Sequence, residues 1–542
     1  MPRMTGGQAL VQQLKLEGVD TVFGLPGVQL DFAFDALYEE RDSVRVVYPR
    51  HEQSTAYMAD GYARVTGRVG TSLVVPGPGL LNTMAALSTA YACSSPVLCI
   101  TGQIDSRWIG VGRGELHEVK DQMGAAASVT KWQGRAMTPA EVPGLVHAAF
   151  EQLHTGRPRP VEIEIPPDVL QLEGDVRLLE AEHFERPGGD PDAIEAAARA
   201  LAAAKNPVIF AGGGIISSGA WEELQRLAEM LEAPVVMTMN GRGAISDRHH
   251  LAFSDAANRA LGTQADVVFA VGTRFLVGGS PPWRRGEQSV IQMDIDPEEI
   301  GRNYKPDVAI EADARKGLTA LAEHVGRYNS ARPSRREEFL ALKQTIIERG
   351  RQQQPQYDLG MALRESMSDD TILISESTQV GYWARSFMPV YQPRTFFTPG
   401  YSANLGYGFA TAIGAQIGAP DRRVVSISGD GGFMYTASDI STLVQNKVPL
   451  VAIVFNDNAF GNVKRMQEEK YGGHMIAVEL HNPDLMKLAD AYGLRGRRAK
   501  DASELRTELR TALSLNEPTL IEVPVPSMEW YAGRTPPRPP QA

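Results

Sequence analysis

Short apolar runs, each stopped by a glycine or proline turn and followed by a helix-length segment, recur along most of this chain. Such runs are too short for helices, and a run that alternates with amphipathic helices is a strand of a βαβ unit. A series of these units builds a mostly parallel sheet with helices on both faces. The first region has such runs at 21–24, 44–48, 71–75, 96–101 and 161–165, with helical spacing at 52–64 and 80–92. Its turns are Leu25-Pro26-Gly27 and Pro76-Gly77-Pro78-Gly79, and Pro166-Pro167 stops the last run. A linker at 184–192 contains Pro187-Gly188-Gly189, and a second set of runs follows at 207–210, 233–237, 266–272 and 290–296. The charged stretch 332–356 reads as a helical bridge to a third set at 371–375, 424–428 and 449–455. The expectation is α/β: three doubly wound parallel-sheet domains over 1–184, 190–330 and 357–542. The first and third share a rhythm, which alone does not establish a shared fold.

Composition narrows the class. The 542 residues suit three or four domains, and the 22% charged share is that of an ordinary soluble chain. The balance of 54 basic against 65 acidic residues gives a net charge of −11. No long basic patch offsets it, and Arg534 and Arg538 in the proline-rich tail are too few, so no nucleic-acid partner is expected. The two cysteines, Cys93 and Cys99, cannot build a disulfide framework and suit a reducing compartment. The start lacks a basic segment followed by an apolar run, and no run of about 18 apolar residues occurs. A cytoplasmic enzyme with no membrane partner is expected.

The strongest signal is Gly429-Asp430-Gly431-Gly432 followed by Asn456-Asp457-Asn458-Ala459-Phe460-Gly461. Each acid follows an apolar run, with helical spacing between them over 436–446. A right-handed strand–helix–strand crossover puts both strand ends on one sheet edge, where ligands of open α/β sheets bind. It can therefore bring together two aspartates that lie 457 − 430 = 27 positions apart. Two carboxylates at such an edge suit Mg²⁺, and glycines beside them admit an anion. The plainer reading of either acid alone is a solvated turn aspartate.

These motifs resemble those of thiamine diphosphate-dependent enzymes. The resemblance implies Asp430, Asp457 and the carbonyl of Ala459 as Mg²⁺ ligands, with Gly429, Gly431, Gly432, Phe460 and Gly461 around the diphosphate. Asp457 departs from the family's usual asparagine and adds a negative charge. The family also needs an acid beside the cofactor's aminopyrimidine ring, which here is Glu52 in Pro49-Arg50-His51-Glu52. Alone, Glu52 would read as a glutamate favoured by a helix N-terminus. Pro26, Gly27 and the segment from Ala59 to Arg64 also resemble the pyrimidine-binding domain. The domain order, pyrimidine-binding, central Rossmann-like and diphosphate-binding, is that of acetohydroxyacid synthase, pyruvate decarboxylase, benzoylformate decarboxylase and benzaldehyde lyase. Sites in these families lie between subunits, so a homodimer or homotetramer is implied. Leu405 would wedge the cofactor into a V shape and the Ala403 carbonyl would accept from its amino group; otherwise Leu405 is a core leucine. Ser377 and Thr378 either donate hydroxyls near the diphosphate or cap the next helix.

The reaction is less constrained. His117 stands where synthases and benzaldehyde lyase have a glutamine; it either relays protons or is a loop residue facing solvent. Val28 and Leu73 replace the serine and histidine of benzoylformate decarboxylase, and no tryptophan stands near Met466 as in synthases. The turns Gly212-Gly213-Gly214 and Gly272-Thr273-Arg274-Phe275 could seat a nucleotide, and some relatives hold FAD there. They lack the GxGxxG pattern, and Leu276-Val277 replaces an acidic pair, so a structural central domain is preferred to an FAD site. The expected activity is a thiamine diphosphate- and Mg²⁺-dependent carboligase or decarboxylase acting on 2-oxo acids or 2-hydroxy ketones, acetolactate-synthase-like. The alternatives are a non-oxidative 2-oxo acid decarboxylase or benzaldehyde-lyase-like C–C lyase, and a non-catalytic cofactor-binding regulator on the same scaffold.

Overall fold

Among the described residues, three six-stranded sheets carry the fold, and every strand pair within them is parallel. The computed structural model describes residues 2–276 and 287–527. Val277, Arg534 and Arg538 lie outside the described residues. In space, the first sheet runs Arg45–Val47, Thr21–Gly24, Gly70–Val74, Val97–Gly102, Val161–Ile165, Trp132–Arg135. Numbered along the chain, that order is 2-1-3-4-6-5. The third sheet runs Phe396–Phe397, Ile372–Ser375, Val424–Gly429, Val451–Asn456, Thr519–Pro524, Arg495–Arg498. Its order is again 2-1-3-4-6-5. The central sheet differs: Ala252–Ser254, Val235–Met237, Pro207–Ala211, Val267–Val271, Ser289–Asp294, Val308–Glu311 is 3-2-1-4-5-6, the order of dinucleotide-binding folds.

The inner strands read as continuous apolar runs because helices cover both of their faces. Val161–Ile165 is buried at every residue, although Glu162 and Glu164 interrupt its apolar pattern. The first and third domains share one core, with Phe23, Tyr57, Ile374 and Phe409 in the same cluster. Its centre is the contact between the helices Glu52–Thr66 and Tyr407–Gly418. Their backbones nearly touch: a Cβ on Gly61 would lie 2.0 Å from the Thr411 carbonyl oxygen, and one on Gly414 1.9 Å from that of Met58. Arg64 ties in the central domain. It donates to the Thr398 carbonyl at 2.8 Å and the Tyr407 hydroxyl at 2.7 Å, and reaches Asn240 at 3.5 Å.

Two local expectations change. The stretch 436–446 is not one helix: a 3-10 turn, Ala437–Asp439, precedes the helix Ile440–Gln445. Asp439 is drawn out to accept from the Arg50 backbone N–H at 2.9 Å and from the Ser54 hydroxyl. The glycines of 212–214 also have a packing explanation. A Cβ on Gly212 would lie 2.1 Å from the Gly272 carbonyl oxygen, so two turns of the central sheet can meet only without side chains.

Candidate active site

The carboxyl edge of the third sheet holds a cavity of about 260 Å³. It opens where the strand order reverses, between Ile372–Ser375 and Val424–Gly429, the place where such sheets bind ligands. Every residue nominated from the third domain lines it: Ser377, Thr378, Ala403, Leu405, Gly429, Asp430, Gly431, Gly432, Asp457, Ala459, Phe460 and Gly461. Thr378 occupies the N-cap position of the helix Gln379–Phe387, but its hydroxyl makes no capping bond. Leu405 is half-buried on the cavity wall rather than in a core cluster. The glycines of the 429–432 turn have different jobs. A Cβ on Gly431 would strike Phe460 at 2.7 Å and one on Gly432 would strike Glu376 at 2.3 Å, whereas one on Gly429 would meet open space. Gly429 is thus where an anion can approach the backbone most freely.

Asp430 begins directly after Val424–Gly429, and Asp457 directly after Val451–Asn456. The crossover does bring them together: each carboxyl lies close enough to alter the other's proton affinity. Both are pushed above the ordinary carboxylate range, chiefly by burial, and Asp457 further by the charge of Asp430. Among the described residues, no Lys or Arg forms an ion pair with either acid, and none is among the largest influences on them. Asn482 bridges the cluster instead. Its amide nitrogen donates to Asp430 at 2.6 Å and to the side-chain oxygens of Asn456 and Asn458 at 3.1 and 3.2 Å. Ala459 sits in a short antiparallel bridge to Glu479, whose two bonds, Phe460 N–H to Val478 and Leu480 N–H to Asn458, leave its carbonyl unused. Two carboxylates, amide oxygens and a carbonyl form an all-oxygen set. Among the described residues no cluster of three His, Cys, Asp or Glu side chains is placed to hold an ion, so this pair leaves places for other oxygens.

The residues nominated from the first domain lie elsewhere, at the carboxyl edge of the first sheet. Pro26 and Gly27 follow Thr21–Gly24, and a Cβ on Gly27 would lie 2.4 Å from Val75. Glu52 opens its helix half-buried and accepts from the Asn82 amide at 2.9 Å. His117 lies in the loop after Val97–Gly102, with φ at 67° and its Nδ1 buried without a partner. Its carbonyl presses on the proline-glycine turn: a Cβ on Gly77 would lie 2.1 Å away. None of these four lines the cavity of the third domain in the same chain.

Comparison with known proteins accounts for both edges. Residues 4–125 match the thiamine pyrophosphate enzyme N-terminal TPP binding domain, 194–321 the central domain and 376–523 the C-terminal TPP binding domain. The chain belongs to the thiamine diphosphate-dependent enzyme family. It is 35% identical to the "Probable acetolactate synthase large subunit" of Methanocaldococcus jannaschii, over 97% of this chain and 93% of that one. It is also 35% identical to the "Probable 2-ketoarginine decarboxylase" of Pseudomonas aeruginosa, over 96% and 94%. The acetolactate synthase of Mycobacterium bovis is 31% identical over 96% and 88%. This is therefore a thiamine diphosphate-dependent enzyme that forms or cleaves C–C bonds. No described helix is long and apolar enough to cross a membrane.

Sequence reasoning missed Asn482, Glu376 and Asn82. Asn482 lies 52 positions beyond Asp430, in a polar segment with no distinguishing pattern. Glu376 was legible only as the acid just before Ser377 and Thr378, the residues nominated for their hydroxyls.

Proposed function

We propose that this enzyme is an acetolactate-synthase-like carboligase, dependent on Mg²⁺, that joins small 2-oxo acids or aldehydes. The observation that carries the Mg²⁺ part of the reading is the all-oxygen donor set around Asp430 and Asp457, with no ion pair from a described Lys or Arg to either acid. Two neighbouring acids without a counter-charge are costly and call for a divalent ion. The open approach at Gly429 beside them suits a diphosphate. The residues therefore fit the Mg²⁺–thiamine diphosphate pair. When bound, the thiamine group supplies a nucleophilic carbon and an electron sink for breaking or making a bond at a carbonyl carbon.

In this reading Asp430, Asp457 and the Ala459 carbonyl hold the metal, while Gly429, Gly431, Gly432, Phe460, Gly461, Ser377 and Thr378 surround the diphosphate. The Ala403 carbonyl and Leu405 orient the ring system. Glu52 would hold a proton facing the pyrimidine, next to a turn formed by Pro26 and Gly27. His117, strained and with a buried unpartnered nitrogen, moves protons at the substrate oxygen. Glu52 and His117 do not line the cavity of their own chain, which supports a homodimer, or a tetramer of two such dimers, whose sites pair the first domain of one subunit with the third domain of the other. Exposed apolar side chains at both edges favour such docking, with Val28 64% and Leu116 60% exposed on the first and Tyr435 56% on the third. The glycine packing at 212 and 272 supports a structural central domain rather than a flavin site. The free thiols Cys93 and Cys99 suit the cytoplasm.

A second reading, 2-oxo acid decarboxylase, is favoured by the equal 35% identity to the 2-ketoarginine decarboxylase. Protein stripped with a chelator and refilled with Mg²⁺ and thiamine diphosphate, then given pyruvate, 2-ketoarginine, benzoylformate and benzoin, separates the two. Acetolactate from pyruvate is expected. Release of free aldehyde without ligated product selects the decarboxylase, and full activity after chelation removes the metal role.

A further inference from the structure

Glu376 follows Ile372–Ser375 directly and is 2% exposed. Its backbone N–H is tied to the Ile427 carbonyl of the next strand at 2.9 Å, so its Cα is fixed by the sheet. One carboxylate oxygen, Oε1, accepts from the Gly406 N–H at 2.8 Å. Gly406 is the N-cap of the 12-residue helix Tyr407–Gly418, and no side chain of that cap supplies an acceptor. An acid brought from another strand therefore closes this helix end, where an anion is favoured.

The space around the acid is reserved for it. A Cβ on Gly432 would lie 2.3 Å from Oε1 and one on Gly408 3.0 Å from Oε2. The third glycine of the 429–432 turn thus accommodates Glu376. Oε2 is buried with no hydrogen-bond partner, and Glu376 lines the cavity. Burial pushes its pKa up to about 7, with the Ser428 hydroxyl and the backbone N–H groups of Gly406 and Gly408 opposing the rise. One side chain therefore touches the turn before the helix and the turn holding Asp430, while belonging to the strand end that carries Ser377 and Thr378.

Ala403 and Gly406 both adopt left-handed backbone, with φ at 52° and 84°, and Leu405 lies between them. Such a turn around a non-glycine residue needs outside support. The Asn404 amide ties the middle of the turn to the first domain, donating to the Ala85 carbonyl at 2.5 Å and to the Ser88 and Thr89 hydroxyls at 3.1 and 3.0 Å. At the Gly406 end the Thr436 hydroxyl reaches only the carbonyl, at 3.4 Å, and the short bond to Glu376 is the closer restraint. We propose that Glu376 is a positioning residue: by accepting the Gly406 N–H, it fixes the Gly406 end of the turn 403–406, whose other anchor is Asn404, and so sets where Leu405 stands against the Asp430 turn. The consequence for cofactor binding rests on the reading of the cavity given above; the restraint on the turn does not.

The test compares the full-length parent, Glu376→Gln and Glu376→Ala by amide hydrogen exchange without cofactor, then by fluorescence titration with thiamine diphosphate in Mg²⁺. Glutamine keeps an acceptor of the same size and should retain protection over 403–408 and cofactor affinity within about threefold. Alanine should raise exchange there at least about tenfold, leave the first sheet unchanged and weaken the cofactor about tenfold. If the alanine chain does not accumulate folded, Glu376→Met, equally large but without an acceptor, replaces it with the same expectations. Parental protection in the alanine or methionine variant, or glutamine as exposed as alanine, overturns the proposal. A parent that protects the turn but binds no thiamine diphosphate instead overturns the cofactor reading and leaves the exchange result standing.

Discussion

The first and third sheets share the strand order 2-1-3-4-6-5, and they share one ion pair as well. Arg135 stands opposite Glu164 on the last two strands of the first, and Arg498 opposite Glu522 at the matching place in the third. From this common frame the two edges diverge. Glu522 accepts from the Asn456 amide at 2.8 Å, and Asn456 in turn accepts from Asn482, the residue that holds Asp430. Glu164 accepts from the Gln122 amide at 2.6 Å, and Gln122 accepts from the Gly77 N–H at 2.8 Å, in the turn under His117. The same strut supports an acid pair on one edge and a proline-glycine turn on the other. The residues proposed for the chemistry are divided between two copies of one architecture, and neither edge holds the whole set.

That division is broken most sharply by crippling each edge in a different chain. Glu52→Gln should lower turnover by about 10²–10⁴ while cofactor still binds, and Asp430→Ala should abolish Mg²⁺-dependent binding. Mixing the two chains under exchange conditions should restore about a quarter of parental activity. Half of the dimers are then mixed, and in each mixed dimer one of the two sites receives both intact edges. Turnover of the mixture that stays at the level of the separate variants would mean that each site is built from a single chain.

Much of one edge was legible in the sequence, and its twin relation to the other was not. Asp430 and Asp457 could be paired because each acid directly follows an apolar run, and crossover handedness does the rest. The three-sheet class followed from the rhythm of runs and turns. Strand order did not, because apolar runs of similar length do not say which neighbours they choose. Asn482, Glu376 and the Arg–Glu struts were hidden for a related reason: their partners lie on other strands, and only side-chain packing brings them together. Of the 436–446 segment only 440–445 is α-helix, and the 3-10 turn before it ends at Asp439, which is bonded to residues 50 and 54, far away in sequence.

The comparison also isolates an acid that the architecture does not need. Glu162 lies two residues before Glu164, and the matching position before Glu522 is Leu520. Burial, and then the neighbouring Glu164, push the Glu162 pKa from 4.5 up to about 8. A raised acid holds its proton more tightly when folded, so its contribution is fully favourable below about 4.5 and is lost as pH rises through about 8. Glu162→Gln keeps an acceptor for the Thr101 hydroxyl and removes this titration. Denaturant unfolding should show the variant equal to the parent near pH 4.5 and more stable near pH 8, by on the order of 3 kcal/mol. Parallel pH profiles for the two proteins would remove Glu162 as a titrating group.

The smallest effect tests the struts themselves. In Glu522→Gln the charge facing Arg498 is lost, and the Asn456 amide keeps only a neutral acceptor. Outer-shell partners of this kind orient metal ligands, and their loss costs roughly tenfold in affinity. The half-saturating Mg²⁺ concentration should therefore rise about tenfold in Glu522→Gln. Glu164→Gln should leave it unchanged, because Gln122 and Gly77 make no contact with the acid pair. That variant should instead raise the KM for substrate, by loosening the turn on which His117 rests. A shared loss of Mg²⁺ affinity would mean that the struts stabilise the whole body rather than one edge each. Separate losses would show that a duplicated ion pair serves a different ligand in each copy.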